Sequence, residues 1–448
     1  MKIKKQRNNK SSVSFFSILL LAGMIQACTQ GGGGGGSADA APTPGVSPTP
    51  TTPTPPDAEK PVCSQSLSSF FEDLDSATAL SESETQALRY RRVKVNTEGL
   101  KAALQASNEG SVRLDVFNDK SLNVKVEKVR TISKKLVVMT GHLADDILSD
   151  VTVVVNDDAV VAHVHGVGSQ NNYEINYLGQ GVHSIRETAA DTQSSEEDCL
   201  AVPDPDPRPD LDTAQDVAMA ATPVIDILVA YTPQARAAVG GTNAMLALIQ
   251  MGIADTNKAY TNSGVNLSAR LVGTMEVKQN ESGNFSNDLV ALTSKTDGKW
   301  DEVHAERVRL GADQVSMVGV YAGQSVAGIG YIGASYAKAF TVTKYSAFGQ
   351  YTFSHELGHN VGLQHSDGYQ NASGGFRTIM AYGSYPRIAR YSNPSIPYNN
   401  YATGTSSNNS ASILNAKGAS MAALATATVP VTSDPTPPVV APPAACTP

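Results

Sequence analysis

The chain has 448 residues and a formal net charge of −8 at neutral pH, which is length enough for more than one domain. Its basic residues form no cluster beyond the N-terminal segment, and this argues against a nucleic-acid-binding protein.

Residues 1–28 have the composition of a signal peptide. A basic start is followed by a short apolar run at 13–24, which is too short to span a membrane. The run ends in Ile25-Gln26-Ala27-Cys28, which resembles a bacterial lipobox with Cys28 as the lipidated residue. Gln26 departs from the small residues usual at that position, so cleavage without lipidation stays open.

Residues 29–62 are expected to form a tether, because a glycine run at 31–36 precedes a Pro/Thr-rich stretch at 41–56. Thr29 after the cysteine resembles the sorting signal of outer-membrane lipoproteins in Gram-negative bacteria. We therefore expect a protein of the bacterial cell envelope, either membrane-anchored through an N-terminal lipid or released outside the cell after cleavage.

A first, β-rich domain is predicted over residues 63–200. The stretch 66–93 is compatible with a helix, and the following runs show the alternation or β-branched content of strands: 112–117, 122–129, 136–140, 151–155, 159–164 and 173–177. His163 and His165 lie on one strand face without an evident third ligand, so half-buried structural histidines are favoured over a metal site. An acidic, Pro-rich linker at 201–221 ends this domain, and its extended composition makes it easy to cleave.

The segment 222–426 is the predicted catalytic domain, followed by a Pro-rich tail at 427–448. Strands are expected at 224–231, 267–277 and 315–321, and helices at 243–262, around 300–310 with a stop at Gly311, and at 410–425. The helix at 243–262 carries its apolar residues on one side.

The run at 355–365 reads H-E-x-x-H-x-x-G-x-x-H. His355 and His359 are one helical turn apart on one face and can bind one Zn²⁺, and Gly362 lets the chain leave the helix so that His365 supplies a third ligand. Glu356 lies further round the helix, close to the metal without being a ligand, where a carboxylate can accept a proton from water. The pattern predicts a catalytic zinc site with an open fourth position; Ca²⁺ binding stays undetermined.

Downstream, the run Thr378-Ile379-Met380-Ala381-Tyr382-Gly383 resembles the Met-turn of metzincin zinc metalloendopeptidases, in which a methionine packs beneath the zinc. The resemblance is closest to bacterial reprolysin-like proteases and peptidyl-Asp metalloendopeptidases. It extends to residues 225–233, 257–266 and 391–394, and so covers nearly all of 222–426. One departure is that no cysteine lies between residues 200 and 445, so core packing and metal must stabilise the domain.

The resemblance implies an α/β (α+β metzincin-like) fold: a twisted mixed sheet with an active-site helix, a Met-turn and a C-terminal helix, preceded by an inhibitory propeptide. It gives Tyr382 a role at the metal or the developing oxyanion, with simple packing as the alternative. It also makes 328–333 the sheet edge on which an extended substrate lies as an added strand. Substrates would be proteins or peptides, hydrolysed outside the cytoplasm by a zymogen-derived protease.

Cys199 permits two interpretations. A disulfide with Cys63 would join the ends of the first domain in an oxidising compartment, and this is favoured. The other is a thiolate that fills the open zinc position, since the surrounding sequence loosely resembles the matrixin cysteine switch but lacks its basic residue and spacing. Cys446, in the tail, is left without an assigned partner.

Specificity is read from Arg387 and Arg390, which follow the Met-turn in the segment that forms a pocket wall in metzincins. Either guanidinium can pair with an acidic side chain after the cut, although ordinary surface arginines are an equal alternative. Two other functions compete: a non-catalytic surface lipoprotein that holds peptides or polymers in a protease-like groove, and a structural zinc site. The intact Glu356 opposes the first, and the shortage of nearby cysteines opposes the second.

Overall fold

The computed structural model describes residues 70–74, 82–85, 87–166, 171–189, 199–204 and 222–428. The predicted signal peptide, Cys28, the tether, Cys63, most of the linker, the tail and Cys446 lie outside these residues. Residues Ser66–Pro448 form one compact unit, so the N-terminal segment (70–189) and the C-terminal segment (222–428) belong to a single body. Among the described residues, no helix has the length and apolar character needed to cross a membrane.

The N-terminal segment is a nine-stranded antiparallel sheet in the order β1-β2-β9-β8-β7-β6-β5-β4-β3. Two short helices accompany it. Its elements are β1 (Phe71–Asp73), α1 (Glu82–Thr85), β2 (Arg89–Val95), α2 (Thr97–Ala106), β3 (Ser111–Phe117), β4 (Lys120–Thr131), β5 (Leu136–Leu143), β6 (Asp146–Asn156), β7 (Ala159–His165), β8 (Asn172–Gly179) and β9 (Val182–Thr188).

All six strands predicted for this segment are present, but the helix predicted over 66–93 is wrong where the structure describes it. The chain forms β1, the single turn α1 and β2 there instead. β2 pairs with β1 on one side and with β9 on the other, so sheet pairing overrides the local helical preference. β9 comes from the far end of the segment and has no strong pattern of its own, which is why the sequence did not reveal it.

The C-terminal segment holds a six-stranded mixed sheet in the order β10-β14-β15-β13-β11-β12, in which only the β14–β15 pair is antiparallel. A two-stranded sheet, β16–β17, is separate. The strands are β10 (Leu200–Pro203), β11 (Val224–Tyr231), β12 (Ser268–Glu276), β13 (Gln314–Gly319), β14 (Gly328–Ile332), β15 (Phe340–Lys344), β16 (Gln370–Asn371) and β17 (Phe376–Arg377).

The helices of this segment are α3 (Pro233–Ala238), α4 (Thr242–Asn262), α5 (Phe285–Thr293), α6 (Glu302–Leu310), α7 (Thr352–Val361) and α8 (Ser410–Met421). The mixed α/β class is confirmed, and the predicted strands and helices occur within a few residues of their expected bounds. The helix around 300–310 stops at Gly311, whose φ of 62° is the left-handed conformation that glycine accepts at a helix end. α3, α5 and β15 were not predicted.

Helix α4 is buried around its circumference rather than on one side. Met245, Leu248 and Ile249 share a core with Val138, Val154 and Val161 of the N-terminal sheet and also with residues of α7. The sequence showed one apolar side of α4, because its other buried side consists largely of small residues such as Ala244, Ala247 and Ala254. Those small side chains let the N-terminal sheet approach the helix closely.

The sequence predicted that β14 is the edge strand of the sheet. This prediction is wrong for the described structure, because β10 covers that edge of β14. β10 pairs with β14 in parallel, with Leu200 opposite Ile329 and Pro203 opposite Ile332. Beyond β10, the Asp204 carboxylate accepts hydrogen bonds from the backbone N–H and the hydroxyl of Ser335, each at 2.9 Å. The residues that precede the C-terminal segment are therefore held along β14.

Candidate metal centre

Helix α7 carries the histidine motif and is fixed against the sheet. It begins after Tyr351, whose φ is 60°, and ends at Gly362, whose φ of 125° no side-chain-bearing residue adopts easily. The buried Asn360 amide donates to the carbonyl oxygens of Tyr331 at 2.9 Å and Phe340 at 3.3 Å. These bonds tie the end of α7 to β14 and the start of β15, so the motif has a rigid support.

The structure brings His355, His359 and His365 together, with one ligand nitrogen of each within 4.8 Å of the others. His355 Nδ1 donates to the Ile379 carbonyl at 2.8 Å, and His359 Nδ1 donates to the Leu363 carbonyl at 2.7 Å. Each bond places the ring proton on Nδ1 and leaves Nε2 with a lone pair.

These three residues fit a zinc ion. The Nε2 atoms of His359 and His365 are 3.1 Å apart, close to the about 3.3 Å expected for two nitrogens on one tetrahedral zinc. His355 Nε2 is buried without a hydrogen-bond partner among the described residues, as a metal ligand would be. Burial lowers the pKa of His355 well below its usual value, that of His359 to about 3 and that of His365 to about 4, so all three rings are neutral at neutral pH.

Glu356 is fully buried and faces β14 across two glycines. A Cβ atom added to Gly328 would lie 2.5 Å from Glu356 Oε1, and one added to Gly330 would lie 3.1 Å from Oε2. The glycines therefore make the room that the carboxylate occupies, a role that the sequence, which read 328–333 as a substrate edge, did not reveal. Burial raises the pKa of Glu356 well above its usual value, while the Cys199 thiol and the Arg387 guanidinium oppose that rise.

Met380 and Tyr382 both lie close to the histidine motif. Met380 is fully buried, and a Cβ added to Gly358 of α7 would lie 3.1 Å from its Sδ, so the methionine packs directly beneath the helix. The Tyr382 ring stacks on the His365 ring with centroids 3.9 Å apart, and its hydroxyl donates to the Cys199 carbonyl at 2.8 Å. Tyr382 is thus within reach of the centre, with its hydroxyl on the covering strand.

Cys199 is a buried thiol at the metal centre. Its Sγ, a His355 nitrogen and a Glu356 oxygen all lie within 4.8 Å of one another. The disulfide to Cys63 that the sequence favoured is not the arrangement shown for Cys199, and Cys63 itself lies outside the described residues. The physical reason is the pairing of β10 with β14, which carries Cys199 to the end of α7 that holds His355.

The two arginines of the predicted pocket wall differ. Arg387 is buried, donates to the Gln350 carbonyl at 3.0 Å, and lies close enough to Glu356 and the three histidines to act on their pKa values. Arg390 donates to the Asn262 carbonyl at 2.5 Å, and its guanidinium lies over the Tyr398 ring at 5.4 Å. Only Arg387 is placed beside the candidate metal centre.

Residues 221–411 match a family model described as Metallo-peptidase family M12B Reprolysin-like. The resemblance to reprolysin-like metallopeptidases predicted from the motif is therefore confirmed for this part of the chain.

Two relatives are named Peptidyl-Asp metalloendopeptidase. That of Stenotrophomonas maltophilia (strain K279a) is 35 % identical over 206 residues, which is 41 % of this chain and 48 % of the relative. That of Xanthomonas campestris pv. campestris is 33 % identical over 213 residues, which is 44 % of this chain and 50 % of the relative. The chain thus spans about half the length of the curated relatives it matches.

Among solved structures, metalloproteinase-II from Bacteroides fragilis is similar at 11 % identity with a TM-score of 0.43, over 65 % of this chain and 91 % of that chain.

Proposed function

We propose that the chain is a zinc-dependent endopeptidase that hydrolyses proteins or peptides outside the cytoplasm. The observation that carries the proposal is the convergence of three neutral imidazole nitrogens beside a buried carboxylate that is not one of the triad. A purely structural zinc site has no use for such a carboxylate. A non-catalytic peptide-binding protein would not need Gly328 and Gly330 to make room for Glu356.

The residues divide the chemistry among them. His355, His359 and His365 would hold the zinc ion, which supplies a Lewis acid that lowers the pKa of water to about 7. Glu356 accepts a proton from the attacking water and passes it to the leaving amine, a role suited to a carboxylate whose pKa burial raises. The Tyr382 hydroxyl binds the Cys199 carbonyl in this structure. Once that hydrogen bond is broken, the hydroxyl donates to the oxyanion that develops on the substrate carbonyl. Met380 supports α7 from below.

Replacing Glu356 with Gln keeps the shape of the side chain but removes the base. We expect the variant to keep one zinc per chain and to lose about 10²–10⁴-fold in turnover of a casein or peptide substrate. Zinc content by elemental analysis and hydrolysis with and without a chelator are the measurements.

His365→Asn should lose zinc and activity together. His304 is a half-buried histidine on α6 away from the triad, and His304→Asn should keep both.

Tyr382→Phe should lower turnover with little change in substrate binding.

Unchanged hydrolysis by the Glu356→Gln chain would refute the proposed mechanism.

We infer further that the chain as described is a latent form. β10 lies on β14, where a substrate backbone would otherwise pair, and Cys199 lies against His355 and Glu356. A thiolate is a strong zinc ligand, so Cys199 would compete with the attacking water for the zinc ion that the three histidines would hold. The hydrogen bonds from Tyr382 to Cys199 and from Ser335 to Asp204 hold the two ends of this strand.

The latent form predicts that Cys199→Ala raises the activity of the uncleaved chain, by roughly tenfold or more, because the thiol no longer competes for the metal. Cys446→Ala is the matched control and should leave activity at the parent level. Peptide hydrolysis by freshly purified, uncleaved protein is measured, with the chain length checked by mass spectrometry. Equal activity in the Cys199→Ala and Cys446→Ala chains would show that the thiol does not maintain latency.

We propose that an acidic residue after the cut is preferred and that Arg387 recognises it. Two observations support this: the relatives at 33–35 % identity are named peptidyl-Asp metalloendopeptidases, and the Arg387 guanidinium acts electrostatically on Glu356 and His355. A guanidinium binds a carboxylate through charge-assisted hydrogen bonds.

Arg387→Met should therefore lower hydrolysis of peptides with Asp or Glu after the cut by about tenfold or more, relative to matched neutral peptides. Arg309→Met is the control, since Arg309 is an exposed arginine on α6 that pairs with Glu306. A peptide library analysed by mass spectrometry gives the preference. The assignment is wrong if the Arg387→Met chain keeps the acidic preference or if no preference exists in the parent.

The proposed location is the bacterial cell envelope, with Cys28 lipidated at the outer membrane and the C-terminal segment released after cleavage. The lipobox-like run and the Gly/Pro/Thr-rich tether support this. Labelling of expressing cells with a radioactive fatty acid should mark the parent chain and leave the Cys28→Ser chain unlabelled. Label on neither chain would favour ordinary signal cleavage.

A further inference from the structure

A buried group of charged side chains joins the two segments one helical turn from the metal centre. Asp150 of β6 forms an ion pair with Lys258 of α4 and accepts a hydrogen bond from the Tyr351 hydroxyl. The Tyr351 carbonyl accepts a hydrogen bond from the backbone N–H of His355, at 3.0 Å, in the first turn of α7. His165 of β7 completes the group, with Nδ1 at 2.9 Å from the Tyr351 oxygen.

The Asp150 carboxylate comes from the N-terminal segment, whereas Lys258 and Tyr351, which bind it directly, come from the C-terminal segment. Burial alone would raise the pKa of Asp150, but Lys258, and after it His163, lower that pKa to about 2, so the carboxylate is charged. Burial lowers the pKa of Arg390, and the Asp150 carboxylate is among the groups that oppose this shift. The side of this contact that belongs to the C-terminal segment is therefore basic.

Two other acidic groups face the same place, and each is partly matched. Asp255 of α4 lies 3.2 Å from His163 Nε2 and accepts a hydrogen bond from Thr152 at 2.7 Å, so the N-terminal sheet answers its charge. Glu127 of β4 approaches Lys258 at 3.7 Å and is half exposed. Asp150 is the buried carboxylate directly on Lys258.

A cavity of about 70 Å³ adjoins Asp150 and is larger than a single water needs. Its lining includes Lys258, Tyr351, Arg387, Arg390 and Tyr398 from the C-terminal segment. The carboxylate therefore sits at the rim of a pocket that holds several basic side chains, rather than in a filled core.

We propose that Lys258, Tyr351 and Arg390 form a carboxylate-binding pocket, that Asp150 is its internal ligand, and that a free carboxylate binds there when Asp150 is withdrawn. This pocket lies one helical turn from the proposed zinc centre and has Arg387 in its lining, but carboxylate binding there needs no peptidase activity. It makes acidic ligands competitors of the N-terminal segment, because both require the same ammonium and hydroxyl groups.

The test uses the full chain carrying Glu356→Gln, so that self-cleavage does not intervene, with acetate as the probe. Asp150→Ala in this background should lower the melting temperature by roughly 10 °C, since it leaves the buried Lys258 unpaired. Acetate should then raise that temperature by about 3 °C or more, while acetamide and chloride at equal concentration should not. In the parent the pocket is filled, so acetate should have no such effect.

Two further chains make the result specific. Asp150→Ala combined with Lys258→Met should lose the response to acetate. Asp119→Ala removes an exposed carboxylate that pairs with Arg89 in the same sheet, and it should neither lower the melting temperature strongly nor create an acetate response. Asp150→Ser, which keeps a hydroxyl for Tyr351, repeats the test with a milder change.

Equal acetate shifts in all chains, or none in either Asp150 variant, would overturn the proposal and leave Asp150 as a structural ion pair only. If neither variant folds alone, refolding in acetate but not in acetamide supports the pocket, and failure in both overturns it. Because every readout is stability, loss of the proposed peptidase function would not alter the outcome.

Discussion

The packing of α7 against β14 is the constraint on which the candidate site depends. A Cβ atom at position 328 would lie 2.5 Å from the Glu356 carboxylate and one at position 330 would lie 3.1 Å from it, so the two glycines leave the space that this carboxylate fills. Asn360 then fixes the far end of the helix to the same strand. With the helix held in this way, the backbone carbonyls of Ile379 and Leu363 orient two of the imidazole rings. Two of the three imidazole rings are therefore oriented by backbone carbonyls rather than by flexible side chains.

The same strand explains why the N-terminal segment and the site are linked. β14 is paired with β15 on one side and with β10 on the other, so it cannot accept another strand while β10 is present. α4, behind α7, packs on the N-terminal sheet through Val138, Val154 and Val161. Residues that precede the C-terminal segment therefore contact both β14 and α4, the two elements that pack against α7.

Much of the site was predictable because its information is local. The histidine spacing, Gly362 and Met380 lie within 26 residues of one another, and their helix and turn form from nearby sequence. Features that join distant parts of the chain were not predictable. Nothing in the sequence near Cys199 indicates that β10 pairs with β14, more than 120 residues later. Likewise, β2 was misread because its partner β9 lies about 90 residues away, and Arg387 and Arg390 could not be told apart without their neighbours.

The burial of α4 on all sides has a consequence for any separation of the two segments. Removing the N-terminal sheet would leave a long helix with small and apolar side chains facing water, which costs free energy in proportion to the uncovered apolar area. Severing the backbone between the segments would not by itself undo that packing. The cut chain would thus remain a two-piece complex, and the rate of its falling apart, rather than the rate of cutting, would govern how quickly β14 becomes open to another strand.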